Sequence, residues 1–230
     1  MRIAFKILCA GALWSLLSAP GAVAADLTRA QIEARIAAGE ALDLANLDLE
    51  GLDLSGLRLK GADFFAARLA GAKLAGADLA GANLTRADLQ KADATGADLE
   101  GATLYAALIE GADFSSANLS RARIIGGGRG VRFVKTKMAK ADLGADPANQ
   151  GMVPVRVDLT EATFDGADLS GANLAHAVLT SASFKGADLR GAHFEYAKMS
   201  GADLTGAKID GAVFTYAELD GARLPTSGKP

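Results

Sequence analysis

An all-β chain wound into a regular coil, entered through one short α-helix, is the fold this sequence predicts. Three observations predict it. From Leu42 onward the chain reads in fives. One residue of each five is large and apolar, and the residue two before it is Ala or another apolar side chain. Gly is frequent two residues after it.

The coil comes first because it fills most of the chain. Calling the large apolar residue of each five its centre, one frame holds 17 repeats from Leu44 to Ile124, and a second holds 14 from Leu159 to Leu224. Centre and centre-minus-two point to the same side of an extended segment, and the residue between them points out. That outward residue is usually Asp or Asn. The other two residues turn the chain, and Gly accepts the backbone angles a corner needs. Small inward Ala lets the walls approach closely.

The repeats LDLSG, AKLAG, ADLAG and ANLTR fit the pattern A-[DN]-L-x-x, and the chain resembles the pentapeptide-repeat family over nearly its whole length after residue 41. The resemblance implies a right-handed quadrilateral β-helix with four repeats per coil, so that residues 20 apart stack. It also implies a coil spacing near the ~4.8 Å of paired strands. Ala94, a centre without a large side chain, then lies on the same wall as Phe114, which can fill the space it leaves. Outward charges fall into ladders such as Asp53, Lys73, Asp93, Asp113 and Asp48, Arg68, Asp88.

Two interruptions divide the coil. The first repeat run occupies 42–126, and shifting the frame by four residues recovers three repeats in 131–145, centred on Phe133, Met138 and Leu143. Residues 127–130 (Gly127-Gly128-Arg129-Gly130) thus read as a short Gly-rich insertion, and residues 146–156 as a loop insertion before the last run, 157–224. The total is 34 repeats, or eight and a half coils, a rod of roughly 40 Å at the strand spacing. At the N-terminal end, residues 25–41 hold the predicted helix. Thr28 and Gln31 form a capping-box pattern, Leu27, Ile32 and Ile36 share a face, and Gly39 ends it. The tail, 225–230, offers no helix. Either Pro225 blunts that open edge, or two copies meet there as a homodimer through the C-terminal coil.

Residues 1–24 read as a secretory signal peptide. Arg2 and Lys6 precede the apolar run Ile7–Leu17, Pro20 and Gly21 break it, and Ala22-Val23-Ala24 fits a cleavage site before Ala25. The run is too short to span a bilayer, so no transmembrane segment is expected after cleavage. The expected location is periplasmic or secreted. Cys9 is the only cysteine and lies in this segment, so the mature chain lacks the means for disulfides, thiolate catalysis or cysteine-ligated zinc. Its 22 basic and 27 acidic residues give a net charge of −5.

No nucleophile, phosphate-loop or zinc-protease spacing appears, so the expectation is no enzyme and no cofactor. Two surface features remain. Arg121, Arg123, Arg129, Arg132, Lys135, Lys137 and Lys140 form a cationic belt with no acid between Asp113 and Asp142. Ladder balancing accounts for Lys137, placed between Asp113 and Asp168, and partly for Arg123 beside Asp158, leaving Arg129, Arg132, Lys135 and Lys140 as candidate anion-binding residues. His176, Tyr196 and Tyr216 fall 20 apart at one corner, with His193 and Glu195 on the wall leading to it and the second insertion leaving after Ala145. His176, His193, Tyr196 and Tyr216 are the candidate partner-binding residues. A weaker apolar outward stripe comprises Phe65, Tyr105 and Ile125, with Leu108 on the adjacent wall. The expected role is binding or scaffolding for a protein or an anionic envelope component. A branch of the resembled family protects DNA topoisomerases by mimicking duplex DNA. The signal segment and the central belt argue against that role here, and no nucleic-acid partner is expected.

Overall fold

The computed structural model describes residues 25–145 and 156–226; the expected signal segment and most of the second insertion lie outside them. Helix α1, Arg29–Ala37, is closed at its start by the capping box, with Thr28 Oγ1 accepting from Gln31 N at 3.3 Å and Gln31 Oε1 from Thr28 N at 2.7 Å. Ile32 is buried, and Leu27 and Ile36 pack on the same core. The Arg29 guanidinium donates to the Asp53 and Ser55 carbonyls at 3.1 Å, so the helix covers one end of the coil and occupies backbone acceptors there.

Beyond α1 the chain winds as a right-handed β-helix. Parallel bridges join each outward residue to the one a coil later, as in Asp43 to Asp63 and Asp48 to Arg68. Each centre donates its N–H to the next coil, as Leu54 does to the Lys73 carbonyl at 2.7 Å, and each corner does likewise, as Gly56 does to Ala75 at 3.0 Å. Within the repeat, Leu57 N bonds back to the Leu54 carbonyl at 3.2 Å and closes the turn. The third turn residue therefore sits at positive φ, as in Gly56 (+68°). Where another residue takes that place, as Arg86 does at +61°, the cost is roughly 1–2 kcal/mol.

The outward Asp and Asn have a structural task. Asp53 Oδ1 accepts from Ser55 N at 2.9 Å and Asp98 Oδ1 from Glu100 N at 3.1 Å, satisfying a corner N–H in the repeats that carry an outward Asp or Asn. Asn adds a bond between coils: Asn83, Asn118 and Asn173 donate from Nδ2 to Asp63, Asp98 and Asp142 at 2.8, 3.0 and 2.9 Å. These bonds hold several carboxyls below their ordinary range. Those to Ser55 do so at Asp53, the Arg190 guanidinium does so at Asp188, and those from Thr205 do so at Asp203. At Asp113 burial opposes the lowering, and the bonds from Ser115 and Arg132 outweigh it.

Four walls result. Their first centres are Leu44, Leu49, Leu54 and Leu59, all fully buried. On the third wall Ala94 is followed by Phe114, Phe133, Phe164 and Phe184, whose rings stack with centroids 5.5, 4.9 and 4.8 Å apart. Phe184 meets Phe194 edge-on at 6.0 Å, and Phe194 stacks on Phe214 of the first wall at 5.0 Å.

The first interruption differs from its sequence reading. Residues 127–130 are not an insertion: Gly127 bridges both Leu108 and Asp158, and Gly128 and Gly130 donate to the Asp158 and Thr160 carbonyls. They form an in-stack repeat of the second wall with Gly128 as its centre. The frame shifts because the preceding repeat is one residue short. Strands β1 (Thr103–Leu108) and β2 (Arg123–Gly127) pair in parallel, and Ala106 has no partner between Tyr105–Ile125 and Ala107–Gly126. Ile125, in register with Tyr105, is fully buried although it stands apart from the core cluster, so it is not part of an exposed stripe. A Cβ on Gly126 would lie 2.5 Å from the Ala107 carbonyl oxygen, and one on Gly128 would lie 2.5 Å from Ile109 Cγ1 and 2.8 Å from Val131 Cγ2.

Counting four inserted residues instead of one missing residue displaces every later repeat by one wall relative to the earlier ones. Lys137 consequently sits between Asn118 and Asp168, not beside Asp113, whose neighbour is Arg132. Arg123 sits beside Asp142, not Asp158, with Nε 3.8 Å from the carboxylate. The second interruption follows Ala145, which donates to the Ala175 carbonyl at 3.1 Å. Among the described residues, nothing covers the last coil, where Phe214 and Leu219 are half-buried, Leu224 is exposed and Pro225 is buried.

Candidate functional site

The corner after the first wall is built unlike the other three. Their turns are mostly glycine, whereas here Asn46, Ala66, Arg86, Ala106, His176, Tyr196 and Tyr216 hold the positive-φ position. Bulky residues are uncommon at such angles. His176 (+63°), Tyr196 (+58°) and Tyr216 (+59°) occupy successive coils. Their rings stack outside the rod: His176 on Tyr196 at 4.9 Å and 3°, and Tyr196 on Tyr216 at 5.0 Å and 21°. Tyr196 is 50% and Tyr216 72% exposed, so the ladder presents its edges and one open ring face to solvent.

Beside it lies a shallow groove lined by Asn173, Ala175, His176, His193, Glu195 and Tyr196. His193 Nδ1 and Glu195 Oε1 are 3.0 Å apart. Burial acts to raise the Glu195 carboxyl, but the His193 hydrogen bond and a backbone N–H outweigh it and leave it below its usual range. Glu195 Oε2 is buried with no protein partner, a free acceptor beside the two rings. Gly144 packs directly over the Asn173 amide, at a separation that leaves no room for a Cβ. The second interruption therefore begins beside His176. All four candidate partner-binding residues, His176, His193, Tyr196 and Tyr216, meet at this one corner.

The four candidate anion-binding residues do not form one patch. Arg129 lies in the turn after the second wall, 3.6 Å from Glu161, and Arg132 on the third wall, 3.1 Å from Asp113. Lys135 and Lys140 occupy the corners at either end of the fourth wall, at φ +55° and +57°. Arg121 pairs with Glu100 at 3.0 Å, and Arg123 also covers the Tyr105 ring at 5.7 Å. Among the described residues, Lys135, Lys137 and Lys140 are exposed and have no ion pair. Lys137, which ladder balancing had set aside, thus joins the unpaired set. A frame shift of four, read as five minus one, is the signal that would have placed it there. No group of three His, Cys, Asp or Glu among the described residues is arranged to hold a metal ion.

The model of the pentapeptide repeats matches in 8 copies, over residues 62–101, 97–126, 158–195 and 187–224, together more than half of the chain. No curated protein sequence matches significantly. Among solved structures, the chain is similar to HetL, a pentapeptide repeat protein involved in heterocyst differentiation regulation in the cyanobacterium Nostoc. The two share 28% identity, with 89% of this chain and 100% of that one covered and a TM-score of 0.44. A trypsin-treated form of QnrB1, a plasmid-mediated fluoroquinolone resistance protein, matches at 18% identity and TM-score 0.55, covering 81% of this chain and 91% of that one. A pentapeptide repeat protein of the Arabidopsis thaliana thylakoid lumen matches at 23% identity and TM-score 0.25, with 70% of each chain covered. The repeat match and the coil it describes agree: this chain belongs to the pentapeptide repeat family.

Proposed function

We propose that this chain is a non-enzymatic binding or scaffold protein of the periplasm, which presents its walls and corners to a protein or an anionic envelope partner. One observation carries the reading: the His176–Tyr196–Tyr216 ladder, exposed at a corner where bulky residues are strained, beside an unpartnered Glu195 oxygen. Strain of this kind persists where the surroundings demand it and clusters at sites of interaction. The core needs none of these side chains, since His176, Tyr196 and Tyr216 lie outside it. The last coil, which no other described residue covers and which carries Phe214, Leu219 and Leu224, suits a homodimer contact.

Location and surface are tested together. The native protein is recovered from separated periplasm and cytosol, its N-terminus is read by mass spectrometry, and a photo-cross-linker is placed at Tyr196. A periplasmic chain starting at Ala25 or Asp26, cross-linked to one partner that a Tyr216→Gly variant loses, supports the reading. A full-length cytosolic chain overturns it and restores the DNA-mimic alternative. Cationic residues on several walls at mid-rod oppose that alternative, because a duplex surface is uniformly negative.

A further inference from the structure

The fourth wall at mid-rod carries a feature the fold does not require. At the corner before this wall, glycine at positive φ recurs as Gly56, Gly76 and Gly96, and again as Gly166, Gly186 and Gly206. Between them stand Ser116 and Lys135. The corner after it is glycine from Gly61 to Gly101 and from Gly171 to Gly211, with Arg121 and Lys140 between. Three cations thus take strained positions that glycine fills elsewhere, and all three fall within two successive coils. Arg121 donates to the Ala139 carbonyl at 3.1 Å, which sets Arg121 and Lys140 in register as like-charged neighbours. Lys137 stands on the wall between the corners, exposed like Lys135 and Lys140. Arg121 is paired with Glu100, but the three exposed ammonium groups have no ion pair among the described residues, and strained positions that glycine fills elsewhere set Lys135 and Lys140 where an anion from outside would complete the set.

We propose that Lys135, Lys137 and Lys140 form a contact surface for a linear polyanion, a phosphate-bearing polymer lying crosswise over the fourth wall. The shape of the charge selects a narrow chain over a flat bilayer. The cationic band is two coils deep, about 10 Å. On the same wall Asp78 and Asp98 lie on one side of it, and Asp168 and Asp188 on the other. A membrane lying on the wall would meet those four carboxylates, whereas a strand crossing it runs along Lys135, Lys137 and Lys140, with Asn118 beside Lys137 on one side and Asp168 on the other, and then reaches Arg132 at the next wall. This deepens the anionic arm of the scaffold reading and rests on it.

The test uses the mature chain and long-chain inorganic polyphosphate, with binding followed by fluorescence anisotropy across a salt series. The triple variant K135G/K137N/K140G installs residue types that other coils carry at these positions, so it should melt no lower than the parent. Its affinity should fall at least tenfold. Its slope of log K against log salt should shrink by about two, since each contact to a single strand contributes about 0.7. A control variant, K60N/K208N, should bind like the parent. Equal loss in both variants, or no loss in the triple variant, overturns the proposal. Phosphatidylglycerol vesicles bound with the same lysine dependence also overturn it, in favour of a bilayer surface. If polyphosphate binding fails while the Tyr196 cross-link persists, this proposal falls and the scaffold reading stands.

Discussion

Between Ile125 and Gly126 the chain is one residue short and stays in the stack, whereas after Ala145 it carries eleven extra residues and rejoins the stack at Val157. The coil register shrinks from 20 residues to 19 at the first break, as between Asp113 and Arg132, and grows to 31 at the second, as between Asp142 and Asn173. The shortage involves the coil more deeply than the surplus does. It leaves Ala106 unpaired and demands glycine at both Gly126 and Gly128. Around the surplus, the described residues need only Gly144, where the chain crosses Asn173. A surplus can leave through a corner, while a deficit has to be taken out of the walls themselves.

The Phe stack of the third wall holds both breaks, because Phe133 touches Phe114 across the short coil and Phe164 across the long one. Phe133→Ala should therefore give the largest effect, about 3–5 kcal/mol, read as a drop in the urea midpoint. Removal of Leu89, in a regular coil, should cost less than this. Equal costs would mean that the stack adds nothing at the breaks. The next effect down is at the short coil. Gly128→Leu places a side chain against Ile109 and Val131 and should destabilise by about 1–3 kcal/mol, as overpacking does. Inserting one glycine between Ile125 and Gly126 in that variant restores the five-residue period and should recover most of the loss. No recovery would refute the one-residue deficit.

Much of this was legible in the sequence because the repeat writes its geometry at a fixed period. Leu and Phe centres, glycine corners and the cap at Thr28 and Gln31 each follow from one residue type at one position. Two things were not legible. A shift of four and a shortage of one give the same frame, and only the neighbours decide between them: Ile109 and Val131 fill the space over Gly128. The outward Asp looked like charge patterning, yet its main partner is a backbone N–H two residues on, as Asp53 shows with Ser55. For the site, spacing alone stacked His176, Tyr196 and Tyr216, but the one-wall error separated Lys137 from its true neighbours.

The Asp bonds make a smaller, collective prediction. The carboxyls of Asp53, Asp113, Asp188 and Asp203 are held below their ordinary value of 3.8. A lowered folded value means stability that is complete above the ordinary value and is lost as pH falls through the folded one. Unfolding free energy should accordingly be flat from neutral pH to about 4 and decline below it, on both sides of both breaks. Asp113→Asn keeps the corner bond while removing the charge, and should flatten part of that decline. A decline that begins well above pH 5 would show that other groups govern it.

The smallest effect should come from the largest change in sequence. Deleting residues 146–156 joins Ala145 to Val157, and the register between Asp142 and its neighbour in the next coil returns to the regular 20. Val157 already points inward as a centre-minus-two residue, so the joined chain enters the next coil in frame. Closing a shorter connection also costs less entropy, though the dependence on length is weak, about 0.6 kcal/mol per doubling. The deleted chain should thus melt within a few degrees of the parent and keep its ring stack at His176. A large loss would mean that the long break, like the short one, is tied into the walls, and the contrast between surplus and deficit would not stand.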